Sequence, residues 1–468
     1  MHSNATAGAR LRVGLVVPRF TLFDPHMAPG FVERMRAAGP RYAQTLERWF
    51  DVCFPGVIES DEEAASAAAR LADARPDALV LAPAMAAPPS FGWAVCDALP
   101  GVPAVIWNAL PVDRMAPDLT QAQATENSTT VGCVMLGNVL VRHGVAAPTV
   151  TTAPGSAQDL ERLRRVVLAA AAAGALGGAS LLRIGAPIAG YLDVEATAHD
   201  LSAVGMREVE VGPGELGEAF AAATEADGRA VLDECRADGW GGDPGPQGVR
   251  SGRLAHAVRL LMRAHDAVGG TVNCHGPLLR FSQEVGITAC LAVARETAAG
   301  RPLSCTGDQP AGLTLALARR MAAGALYHEC YAPEPATGLM LLAAGGEGDP
   351  ALADGPVRLE ENDHYPGEAG RGTSVAFDLR RGPATILSAS PTAGGWTLAW
   401  ATGEVVETRY RDMRGPNGMF RFDSGDVLTA TSAWIASGAT HHNALAPGRL
   451  DVEAPVAAAA LGMRSVRV

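Results

Sequence analysis

The feature that most constrains this chain is an alternation of short apolar runs with helical stretches, which begins at Leu11, lapses near residue 150 and then starts again. LRVGLVV (11–17) reads as a buried strand. A helical stretch follows, then a second strand near VCFPGVI (52–58), a helix over Glu62 to Ala74 and the strand DALVLAP (77–83). Runs that are apolar at nearly every position, and not at every second one, belong to strands covered on both faces. The expectation is therefore a parallel sheet with helices packed over it. PAVIWNA (103–109) adds a further strand, and PTVTTAPGS (148–156) reads as a linker.

The pattern restarts with a helix over Leu160 to Ala175 and the strands ASLLRIG (179–185), REVEVG (207–212) and GTVNCHG (270–276). Two long helical patterns, GITACLAVARETAAG and AGLTLALARRMAAGAL, close this second unit near residue 325, and 226–252, rich in Gly, Asp and Pro, reads as a long surface loop. After residue 326 short alternating patterns take over: SVAFDL, ATILSAS, WTLAWATGEVVETRY and MFRF, separated by turn residues. A short helix over Pro455 to Leu461 and a short strand end the chain. The predicted fold class is α/β. Two Rossmann-like parallel α/β domains (1–153 and 154–325) precede a C-terminal antiparallel β-rich domain (326–468), in accord with the roughly 150 residues of a common domain.

Of the 468 residues 48% are hydrophobic and 19% charged, the composition of a folded chain with a sizeable core. The net charge of −12 and the absence of a basic stretch argue against nucleic acid and anionic membranes as partners, leaving a small-molecule substrate. All 38 basic residues are Arg. Without a lysine there is no Schiff-base chemistry and no Walker-type phosphate grip. The eight cysteines show no C-x-x-C or disulfide framework and read as reduced thiols of a cytoplasmic protein. Met1 to Arg12 has no signal-peptide core.

Open α/β sheets bind ligands at the carboxyl ends of their strands, and the residues there that can do chemistry are few. His275 ends a strand in NCHGP, and Asp308 stands in SCTGDQP before a helix. Glu329 lies in YHECY where the β-rich region opens, and His441 and His442 lie in SGATHHNAL. Carboxylate and imidazole from distant positions can together hold a divalent ion. Each also has a structural reading: His275 as a hydrogen-bonded strand end, Asp308 as a helix N-cap, Glu329 and the paired histidines as surface residues. GWGGDPGPQG and AAGGEGDP lack the strand–turn–helix setting of a phosphate loop and read as loops.

Two segments resemble a known family. TSAWIASGATHHNAL is similar to the C-terminal signature of L-arabinose isomerases, and the stretch from TVNCHGP to LALARRM resembles the middle of the L-fucose and L-arabinose isomerase group, which has Cys-Glu-x-Asp where this chain has Cys305-Thr306-Gly307-Asp308. The resemblance implies two α/β domains and a β-rich domain, a homo-oligomer of three or six subunits, and metal-dependent aldose–ketose isomerisation. In that reaction a Mn²⁺-like ion polarises the substrate oxygens and a carboxylate shuttles a proton between C1 and C2.

Carried over by position, the resemblance makes Glu329 and His442 metal ligands, with Glu329 also the catalytic carboxylate; Asp308, two residues beyond Thr306, is the second catalytic candidate. His275, Thr306, His441 and Asn443 are left to bind substrate. The family's first carboxylate falls on Thr306, and its further histidine falls in LLAAGGEG, which has none. Three readings stay open: a sugar isomerase in which Asp308 compensates, the same fold turned to epimerisation, dehydration or rearrangement in a biosynthetic pathway, and a non-catalytic sugar-binding protein.

Overall fold

The computed structural model describes residues 10–363, 370–407, 410 and 413–468. Most of the segment assessed as a leader, Met1 to Arg12, lies outside them. The chain forms two compact units, Met1–Ala175 with Ala459–Gly462, and Leu176–Ala458 with Met463–Val468.

The first unit holds a parallel sheet of β1 (Arg12–Pro18), β2 (Asp51–Cys53), β3 (Val57–Ile58), β4 (Ala78–Leu81), β5 (Ala104–Ala109) and β6 (Thr149–Thr152), in the order β2-β1-β4-β5-β6 with β3 on the far end of β1. β4 and β5 are buried at every residue, the mark of a sheet covered on both faces. Ser60 starts the covering helix Asp61–Ala74, its hydroxyl accepting the Glu63 N–H, and Arg75 in the left-handed region stops it. The linker expected at 148–156 is in part β6, which pairs with β5 from Ile106↔Thr149 to Ala109↔Thr152. Its alternating threonines suit an edge strand and carry too little apolar character to announce one.

In the second unit β7 (Ser180–Ile184), β8 (Arg207–Val211), β10 (Ala267–Val272) and β11 (Leu303–Cys305) form a parallel sheet in the order β11-β10-β7-β8; β9 (Gly241–Gly242) joins another sheet. The surface loop expected over 226–252 is corrected: most of it is the helix Glu225–Ala237 and the start of the helix Gly248–Ala264. Thr224 and Asp227 form a capping box that outweighs the local Gly and Asp content.

The remaining strands are β12 (Leu326–Glu334), β13 (Leu339–Ala343), β14 (Ala353–Glu361), β15 (Thr373–Leu379), β16 (Gly382–Thr392), β17 (Gly395–Glu407), β18 (Asn417–Phe422), β19 (His442–Pro447) and β20 (Arg464–Arg467). They make a sheet in the order β20-β17-β16-β19-β12-β13-β18-β15-β14-β9. Most pairings are antiparallel, as expected, but β14–β9, β15–β18 and β17–β20 are parallel, so the sheet is mixed. The buried helix Gln309–Met321 packs closely on the four-stranded sheet, where a Cβ on Gly312 would stand 2.7 Å from the Gly270 carbonyl. Among the described residues no helix is long and apolar enough to cross a membrane.

Candidate active site

The site starts from two neighbouring strand ends. β10 and β11 are parallel with Val272 opposite Cys305, so Asn273-Cys274-His275 and Thr306-Gly307-Asp308 leave the sheet side by side. The turn after β11 is sharp. Thr306 has φ +61° and Gly307 φ +81°, and a Cβ at Gly307 would come within 2.7 Å of Pro187 Cα, so that position requires glycine. Asp308 then caps the helix Gln309–Met321, its Oδ1 accepting the Ala311 N–H at 2.7 Å. The expected N-cap is there, and the second carboxylate oxygen is turned to another use.

That oxygen, Oδ2, lies 2.8 Å from Nδ1 of His442; both side chains are almost wholly buried. His442 opens β19 and stands opposite Glu329 of the neighbouring antiparallel strand β12. Its Nε2 is 3.8 Å from Glu329 Oε1, and Glu329 keeps about a third of its side-chain surface exposed, at 34%. This separation is too long for a hydrogen bond. It leaves the carboxylate and the imidazole facing the same place from a solvent-accessible side. The Thr306 hydroxyl donates to the Cys305 carbonyl at 2.7 Å and lies 3.5 Å from His442 Nδ1.

His441 stacks against His442 with ring centroids 3.7 Å apart, and its Nδ1 is 2.6 Å from Asp193 Oδ2, with Tyr191 at its edge. The Asn443 amide donates to the His441 carbonyl at 2.9 Å, and its Oδ1 is buried without a partner. Of the residues singled out from sequence, Glu329, Asp308, Thr306, His441 and His442 are thus brought together. His275 joins a different group, with Cys274 and Cys305, all three ligand atoms lying within 4.8 Å of one another.

Burial sets the protonation states. His442 is pulled down to about 3, first by desolvation and then by neighbouring His441, against the opposing pull of Glu329. Asp308 is raised well above the carboxylate range by burial, against the Ala311 N–H. Both directions favour the neutral form of each group; with Asp308 protonated, its Oδ2–H can donate to Nδ1, which leaves the imidazole proton for Nε2 on the side of Glu329. Glu329 is also raised, by burial first, against the two histidines. A carboxylate with a raised pKa beside an imidazole N–H is equipped to take and return a proton at a carbon next to an oxygen that the N–H holds.

Sequence reasoning missed Tyr327 and Glu347. The Tyr327 ring lies 4.7 Å from that of His442, and its phenol is pushed up by burial and by Cys305, Glu347, Asp308 and Glu329 around it. Glu347 is 3% exposed and accepts the Gly345 N–H at 3.2 Å. Its signal was a carboxylate flanked by glycines in the turn directly after a strand, AAGGEGDP.

The donors do not fit a resident Mn²⁺ of the family kind. Glu329 and His442 Nε2 supply one carboxylate and one imidazole, and among the described residues no third Asp, Glu, His or Cys ligand atom, Glu347 included, forms a group with both within 4.8 Å, whereas hard ions of this type are held by several charged oxygens. Thr306 is neutral and donates to its own strand, and both Asp308 oxygens are committed, to Ala311 and to His442.

Residues 315–455 match the family model of the L-arabinose isomerase C-terminal domain, a stretch that contains Glu329, Glu347, His441 and His442. No curated protein matches the chain.

Proposed function

We propose that this chain, which carries an L-arabinose isomerase C-terminal domain and so is of an arabinose/fucose isomerase-like family, moves a proton between adjacent carbons of a small open-chain sugar or sugar-like polyol. The observation that carries the reading is the Glu329–His442–Asp308 line, with a 3.8 Å gap at its solvent side and a 2.8 Å hydrogen bond at its buried side.

Glu329 takes the proton from C2 of an aldose. As electron density moves to O1, His442 Nε2–H gives its proton to that oxygen while Asp308 Oδ2–H refills Nδ1, and an enediol results. The O2 proton then passes to Nε2 as the Nδ1 proton returns to Asp308, and Glu329 delivers its proton to C1. One hydrogen has moved from C2 to C1 and one from O2 to O1, which balances the aldose-to-ketose conversion. Proton transfers of this kind contribute roughly 10²–10⁴-fold each. The reading includes a cytoplasmic homo-oligomer of three or six subunits, which size-exclusion chromatography showing a monomer overturns.

The test is hydrogen exchange: pentoses and hexoses, aldo and keto, are incubated with the protein in D₂O and followed by proton NMR at C1 and C2. Loss of a C2 signal with ketose formation, slowed about 10²-fold or more in Glu329→Gln, supports the reading. Exchange with no substrate, or undiminished exchange in the variant, overturns it. Thr306 in place of the family glutamate favours a second reading, epimerisation or dehydration with Glu329 as base. Epimerisation gives exchange at C2 without a ketose, and dehydration gives a product lacking one water.

A further inference from the structure

Two cysteines and a histidine meet where β10 and β11 end. Cys305 is the last residue of β11, Cys274 lies two residues beyond its β-ladder neighbour Val272, and His275 follows. Both cysteines are buried and free of disulfides, while His275 is exposed, so the imidazole closes the group toward solvent. The turn is held in place: Asn273 Oδ1 accepts the His275 N–H at 3.0 Å, and its amide donates to the Ala186 carbonyl.

The Cys274 sulfur already has two donors around it. The Cys305 S–H donates to it, and so does the backbone N–H of Ala289, the residue that precedes the helix Cys290–Ala298. A backbone N–H directed at a thiolate sulfur, at the positive end of a helix, is the setting that orients and stabilises metal-bound cysteines.

We propose that Cys274, His275 and Cys305 bind one soft divalent transition-metal ion of the zinc class through two sulfurs and one imidazole nitrogen. Two thiolates and an imidazole leave the fourth tetrahedral position open, and zinc bound at about 2.3 Å from sulfur and about 2.0 Å from nitrogen places its donors roughly 3.5–3.8 Å apart. The three ligand atoms, all within 4.8 Å of one another, need only a small contraction to reach that spacing. Binding breaks the remaining S–H bonds and releases their protons to solvent. Thiolate donors select zinc-like ions over Mn²⁺, so this group is chemically distinct from the carboxylate–imidazole pair at Glu329 and His442. The inference is independent of the proposed isomerisation. An ion held here stands next to Thr306, whose hydroxyl reaches His442.

The test uses the full chain, reduced and stripped of metal, titrated with Co²⁺. The expected result is one Co²⁺ per chain, with intense near-ultraviolet sulfur-to-cobalt absorption and visible bands of a tetrahedral site, reversed by Zn²⁺. Cys274→Ser and Cys305→Ser lose the ultraviolet band and bind about 100-fold or more weakly. His275→Asn, at an exposed position that does not threaten folding, weakens binding about tenfold or more while keeping the band. His442→Ala and Glu329→Gln leave the titration unchanged within about threefold. Failure to bind Co²⁺, binding without the sulfur band, or binding lost in His442→Ala but kept in Cys305→Ser each overturns the assignment.

Discussion

Asp308 serves two partners with one carboxylate: Oδ1 receives the Ala311 N–H at 2.7 Å and starts a buried helix, and Oδ2 lies 2.8 Å from His442 Nδ1. Asp308→Asn keeps a cap oxygen and an amide donor for Nδ1 but has no proton to pass. Stability should fall by no more than about 1 kcal/mol, while exchange slows about 10²-fold or more. Asp308→Ala removes both bonds and should cost about 2–4 kcal/mol. Thermal melts and the D₂O assay read the two effects separately, and an Asn variant as fast as wild type would eliminate the relay.

Thr306→Glu places a carboxylate in the turn beside His442. The residue sits at φ +61°, where a β-branched side chain is strained and glutamate is less so. Because the position is buried, the added carboxylate should cost stability without an ion, and the variant should bind Mn²⁺ about tenfold or more tightly, because the number of charged oxygens sets affinity for hard ions. Electron paramagnetic resonance of free Mn²⁺ measures this, and equal affinities would place residue 306 away from any ion site.

His328, wholly buried and pulled down to about 4 by desolvation, should govern part of the acid response. The unfolded histidine titrates near 6.5. Between about pH 6.5 and 4 the unfolded chain takes up a proton that the folded chain refuses. Stability is therefore complete above that window and falls, by about 3 kcal/mol from this residue, as the pH drops through it. Urea melts of wild type and His328→Gln at pH 7 and 5 should show a smaller pH difference in the variant.

Arg19, fully buried in the first unit, is held by Asp24 and by Glu59 at 2.7 Å. The Glu59 carboxyl is held below its usual range by the Arg36 hydrogen bond first and by Arg19 as well, against burial. Glu59→Gln should cost about 3 kcal/mol at neutral pH, because a buried guanidinium loses half its compensation. That contribution exists above the unfolded carboxyl value of about 4.3 and disappears as pH falls through the lower folded value. Melts of the two proteins should converge as the pH falls below that folded value, and a constant gap down to the acid end would argue against the ion pair as its cause.

The two parallel sheets were legible because their strands are apolar at nearly every position and their helices carry caps. β6 was not, since its alternating threonines resemble a linker, and the Glu225–Ala237 helix was hidden by glycine and aspartate that its capping box overrides. Glu329, Asp308 and His442 could be named from sequence. Their pairing could not, because it depends on the register of β12 against β19 and on the second oxygen of a capping carboxylate. Glu347 sits in a glycine-rich turn that reads as a loop, and the thiol group at Cys274 has no spacing signature because its members meet only where β10 and β11 end side by side.

The turn 305–308 has one position at which it can vary. Residue 307 is confined to glycine by Pro187, and 308 is tied to both a helix and an imidazole; 305 ends a strand inside the thiol group, which leaves 306 as the only side chain whose replacement disturbs none of these bonds. A single substitution there can exchange neutral for charged chemistry beside His442 while the strand end, the glycine turn and the helix cap around it stay as they are.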